Sequence, residues 1–134
     1  MIDRSRAFAL LLAATLLILG AGAHAVMGWI FVREALEALP AKAGLMGVLS
    51  AGWQLGSVSL LAFGLLALVA GLACWRRQPV APATVWIVAA ALVGFGTGAL
   101  LLGDGSFFYL YFGYILIGGL LALGVAPRAE GGSR

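Results

Sequence analysis

Charged side chains are scarce. Eight Lys or Arg and five Asp or Glu make up 10% of 134 residues, where a soluble domain carries about 25%. Too little polar side chain exists to cover a water-facing surface, which excludes a soluble enzyme of ordinary surface chemistry. The same shortage excludes a nucleic-acid binder with a basic face. A single cysteine excludes a disulfide scaffold. With only one histidine beside it, no zinc site can be built from these two residue types alone. What the chain does have is apolar surface: 63% of residues are hydrophobic and the mean hydropathy is +1.11. That excludes a disordered chain and leaves a small integral membrane protein.

The few charges fall into five clusters. They are Asp3, Arg4 and Arg6; Arg33, Glu34, Glu37 and Lys42; Arg76 and Arg77; Asp104 alone; and Arg128, Glu130 and Arg134. Between them, residues 7–32, 44–75, 78–103 and 107–127 carry no charge. Each gap holds the roughly 20 apolar residues that a helix needs to cross about 30 Å of hydrocarbon. Barrel strands would alternate apolar and polar, and these runs do not. Helices satisfy their own backbone where water is absent. The chain therefore reads as an all-α membrane protein, a single antiparallel up-and-down bundle of four transmembrane helices. The spans fall at about 7–27, 53–75, 83–102 and 107–126. Residues 28–52 form an outer interfacial extension and loop, with Trp29 and Trp53 at headgroup level and Arg33 to Leu39, closed by Pro40, a short helical extension or surface turn.

Orientation follows from Lys and Arg. Placing the N-terminus inside leaves Arg4, Arg6, Arg76, Arg77, Arg128 and Arg134 in the cytoplasm, and only Arg33 and Lys42 outside. Both termini are expected in the cytoplasm, with the chain in the inner membrane. The net charge of +3 is absorbed by this bias and implies no acidic partner. A competing reading takes Arg4 and Arg6, the apolar stretch after them and Ala23-His24-Ala25 as a cleavable signal peptide. The apolar run continues to Val32, as a span does.

Small residues mark where spanning helices pack, because lipid tails are as apolar as a neighbouring helix. Gly52 and Gly56 continue as Gly64 and Gly71 along the second span, and Gly94 and Gly98 repeat the spacing on the third. Packing within the bundle is the first expectation. A homo-oligomer or membrane-protein partner at the Gly52/Gly56 or Gly94/Gly98 faces is the alternative, with the lipid bilayer itself the remaining partner. No internal repeat supports an inverted-repeat transporter.

No span carries an Asp, Glu, Lys or Arg near its midpoint. Proton-coupled pumps need such a group, and small multidrug transporters of similar length place a glutamate in their first span. Polar residues gather in the outer half. His24 ends the first span, Trp53 and Gln54 lie at the matching level of the second with Ser50 and Ser57 one turn away, Thr97 is on the third, and Tyr111 and Tyr114 are on the fourth. They form either an outward-open pocket of His24, Trp53, Gln54, Ser57, Thr97, Tyr111 and Tyr114, or a hydrogen-bonded tie among helices. The aromatic run 107–114 reads first as an interfacial belt, with Tyr111 and Tyr114 deep enough to stack a quinone or pigment. Cys74 reads as a packing residue. No catalytic residues, metal ligands or cofactor are assigned, and no nucleic-acid partner.

His24-x3-Gly28, Leu36-x2-Leu39-Pro40 and Trp53-Gln54 resemble a family of small bacterial four-span inner-membrane proteins. Its members pair a histidine at the end of span one with Trp-His at the start of span two. The resemblance covers residue 20 to about residue 66. Gln54 stands where that family tends to have histidine, so a metal or haem pair is not implied. The resemblance implies four spans and proximity of His24 to Gln54, and no activity. Function then reads as an accessory or scaffold protein without catalytic machinery. The alternative is an outward-facing binder or carrier of a small apolar or neutral ligand, such as a lipid or quinone, around His24, Gln54 and Tyr111.

Overall fold

A computed structural model describes residues 4–37, 43–102 and 107–126. The turn at Pro40, Lys42, Asp104 and the charged tail from Arg128 lie outside the described residues. Helix α1, Arg4–Ala23, passes through a π-helical turn at His24–Gly28 into α2, Trp29–Glu37. Helices α3, Ala43–Trp75, α4, Pro82–Leu102, and α5, Phe108–Val125, follow. No strand occurs among the described residues. Among the described residues, four helices are long and apolar enough to cross a membrane: Arg4–Glu37, Gly44–Trp75, Pro82–Leu102 and Phe108–Val125. The chain is a multi-pass helical bundle.

The first two helices exceed a bilayer. Arg4–Glu37 has 34 residues, about 51 Å at 1.5 Å per residue, against about 30 Å of hydrocarbon. The region read from sequence as an extension and loop is therefore helical on both sides of residues 38–42. Arg33 and Glu37 pair across one turn at 3.4 Å on its exposed surface. At its other end α3 closes on Arg77, whose φ of 63° reverses the chain. The Gln78 amide donates to the Ala73 carbonyl at 2.8 Å and the Arg77 amide to Cys74 at 3.2 Å. These two bonds make the αL helix stop usually given to glycine.

Helix α1 is the centre of the bundle. It packs against both α3 and α5, and α5 packs in turn against α4. The lateral order is thus α3, α1, α5, α4, and α3 barely touches α4 although they are neighbours in sequence. Helix α1 buries Ala7, Leu10, Ala14, Leu17 and Ala21, a stripe at steps of three and four. On α3, Gly64 and Gly71 let this stripe come close: a Cβ at Gly64 would lie 2.7 Å from Ile18 Cγ1, and one at Gly71 2.8 Å from Leu11 Cδ2. On α4 the close approach falls at Gly96, where a Cβ would lie 2.6 Å from the Tyr111 carbonyl. Gly94 and Gly98 have nothing within 4 Å. They sit about 200° around the helix from Gly96 and face outward, contrary to the expectation that they pack inside the bundle.

Candidate functional site

The π-helical turn begins at His24, where α1 crosses α3. Such turns widen a helix locally and recur at functional sites. Trp53 of α3 lies against this turn. Its indole stacks on the His24 imidazole with ring centroids 4.1 Å apart and planes within 4°. The indole Nε1–H donates to the backbone carbonyl of His24 at 2.7 Å. Only glycine fits at position 28, because a Cβ there would stand 2.6 Å from Trp53 Cζ2.

One helical turn further, Ser57 holds the other side of the ring. Its Oγ is 2.8 Å from His24 Nδ1, and it donates to the Trp53 carbonyl at 3.1 Å. At 5% exposure Ser57 is the one buried polar side chain among the described residues. His24 is thereby fixed by a stacked indole, a hydroxyl at Nδ1 and a bond to its own carbonyl. Gly56 allows the approach, its Cβ position lying 3.4 Å from His24 Cε1.

Beside His24 a cavity of about 280 Å³ opens where α3 and α4 fail to meet. Gly56, Ser59, Leu60 and Phe63 of α3 form one wall, and Ala91, Leu92 and Phe95 of α4 the other. His24 of the π-helical turn and Tyr114 of α5 complete it. Phe95 is 57% exposed and meets Tyr114 edge-on at 5.3 Å. The lining is apolar except for His24, Ser59 and Tyr114. The Ser59 hydroxyl donates to the Leu55 carbonyl at 2.8 Å.

The residues singled out from sequence divide clearly. His24, Trp53 and Ser57 form one hydrogen-bonded and stacked group, and His24 and Tyr114 share the cavity. Gln54 does not join them. It is exposed, pointing about 100° around α3 from Trp53, so His24 takes Ser57 and Trp53 as partners instead. Ser57 and Gln54 accordingly do not share the buried face of α3. Thr97 is exposed on α4 and does not line the cavity. Tyr111 lies just above, edge-on to Phe95 at 6.1 Å and to Phe107 at 6.4 Å. Tyr109 is 89% exposed, as an interfacial belt residue would be. Ser59, Phe63 and Phe95 were not anticipated. The signal for the last two was available, since each is the single phenylalanine of its helix and lies well inside it.

Among the described residues no group of three or more His, Cys, Asp or Glu gathers. Cys74 is half-buried against the core, 17 positions beyond Ser57 on α3, about 25 Å along the axis. The arrangement can accept or donate a few hydrogen bonds at the edge of an apolar hollow. No protein-family model matches the chain, and no curated protein or solved structure matches it either.

Proposed function

We propose that this chain is a bacterial inner-membrane protein that binds a small, mostly apolar molecule from the bilayer and catalyses no reaction on it. Its helices run up and down with both termini in the cytoplasm, as the excess of Arg4, Arg6, Arg76, Arg77, Arg128 and Arg134 over Arg33 and Lys42 supports. In that orientation the His24 cavity lies in the outer half of the membrane. The observation that carries the reading is the cavity between α3 and α4, completed by Tyr114 of α5 and a fixed histidine. A cavity of about 150 Å³ can hold benzene, so 280 Å³ accommodates one substituted ring or a short length of chain.

Lipid tails are as apolar as Leu60 or Phe63, so burial against them gives a ligand little advantage over the bilayer. Selection must come from shape and from the polar tips. The test is saturable binding of a short alkylbenzene to the protein in lipid nanodiscs. Native protein should bind about one equivalent, and Ala91→Trp, which fills the cavity from an exposed helix face, should bind none. Absence of saturable binding, or binding unchanged by Ala91→Trp, overturns the reading.

An accessory or scaffold role is favoured by a different observation. Gly94 and Gly98 leave a flat strip on the outer face of α4 with nothing within 4 Å, which suits a close-packed partner helix. Cross-linking in native membranes should then lose a specific product on Gly94→Leu. An unchanged product argues against that face.

A further inference from the structure

The hydrogens around the cavity are largely committed, and this restricts what the cavity can recognise. Ser57 Oγ has one hydrogen and two close neighbours, His24 Nδ1 at 2.8 Å and the Trp53 carbonyl at 3.1 Å. A carbonyl only accepts, so both contacts are hydrogen bonds at once only when the serine hydrogen goes to Trp53. The contact with His24 is then a hydrogen bond only when Nδ1–H donates to Ser57 Oγ. A neutral ring with its hydrogen on Nδ1 presents a bare lone pair at Nε2. That atom has no hydrogen-bond partner among the described residues, and it is not sealed from its surroundings. Trp53 stacked at 4.1 Å and bonded to the His24 carbonyl prevents the ring from swinging away.

Ser59 follows the same logic. Its hydrogen is committed to Leu55 O at 2.8 Å, which leaves its oxygen lone pairs to face the cavity. Tyr114 alone among the lining side chains can still donate, and its hydroxyl accepts as well. The cavity thus offers two acceptors, one group of either kind, and no charge. Its aromatic walls, Phe63, Phe95 and Tyr114, suit a flat ring, and 280 Å³ limits the occupant to about one substituted ring.

We infer that the cavity selects a single-ring aromatic hydroxyl compound, a phenol or quinol head with its tail left in the bilayer, over the matching ether or carbonyl compound. His24 Nε2 accepts the hydroxyl hydrogen, and Ser57 is a positioning residue that sets which nitrogen is bare. The inference rests on the ligand-binding reading above and sharpens it to a ligand class.

The experiment compares 4-hexylphenol with 4-hexylanisole, which differ by a methyl on the oxygen, for binding to the protein in nanodiscs. Affinities are taken per mole of lipid so that partitioning into the bilayer cancels. Native protein should prefer the phenol about tenfold, the value of one well-made hydrogen bond. His24→Phe should bring the two within about twofold while keeping anisole binding. Ser57→Ala, which leaves the histidine in place but releases Nδ1, should reduce the preference as well, and it serves where His24→Phe does not fold. Equal binding of phenol and anisole to native protein overturns this inference and leaves the cavity reading standing. A preference that survives both substitutions overturns it too. Saturable binding of neither compound overturns the cavity reading itself.

Discussion

Replacing Gly28 with alanine puts a methyl group where the indole of Trp53 already lies. The new Cβ would stand 2.6 Å from Trp53 Cζ2, against 3.4 Å for the near edge of ordinary contact, so the ring must retreat by about 0.8 Å. It has little freedom to do so, since it is stacked on His24 at 4.1 Å and bonded to the His24 carbonyl at 2.7 Å. Overpacking of this kind costs about 1–3 kcal/mol, and weakening the indole bond adds a further about 0.5–1 kcal/mol. Alanine in a helix returns about 0.5–1 kcal/mol over glycine. Gly28→Ala should therefore destabilise the protein by about 0.5–3.5 kcal/mol. Gly94→Ala, with nothing within 4 Å of its Cβ, should be neutral or stabilising by up to about 1 kcal/mol. Unfolding by SDS titration in mixed micelles measures both. The opposite signs are the signature. Gly28→Ala at or above wild-type stability would refute the view that Trp53 is wedged against the π-helical turn.

Arg77 holds φ at 63° without being glycine, a conformation that costs an L-residue about 1 kcal/mol. Arg77→Gly should raise stability in the same titration by about 0.5–1 kcal/mol, and a loss would show that the arginine side chain contributes more than its backbone strain. Orientation is read at Cys74: a membrane-impermeant maleimide should label it only from the cytoplasmic side in inverted vesicles. Labelling from the outside would reverse the topology and place the His24 cavity in the inner half.

The spans could be read from sequence because the charges delimit them. Arg4 and Arg6, Arg76 and Arg77, and the cluster from Arg33 to Lys42 leave no other place for a membrane boundary. The packed faces were harder, since each span is apolar on every side and residue size alone separates inside from outside. The phase of α3 was nevertheless encoded in its glycines. Gly56, Gly64 and Gly71 face α1. Trp53 and Ser57 lie about 60° and 100° around the helix from Gly56, whereas Gln54 lies about 160° away and is exposed. Level in the membrane and the family resemblance put Gln54 beside His24 together with Ser57 and Trp53, and the structure sets only the last two against the ring. The cavity could not be foreseen, because it arises from the lateral order α3, α1, α5, α4. That order separates two helices joined by a short connection. Residues 33–39 read from sequence as a short helical extension or surface turn, and the helix does run through residue 37; the stretch 43–52 read as loop because it exceeds the bilayer, yet it is helical.

The central claim is that the hollow between α3 and α4 holds an apolar molecule taken from the membrane. Native mass spectrometry of gently extracted protein tests it without choosing a ligand in advance. Wild-type protein should carry an added mass corresponding to one small organic molecule, and Ala91→Trp should carry none. Wild-type protein without an added mass, or the same added mass on Ala91→Trp, would contradict it.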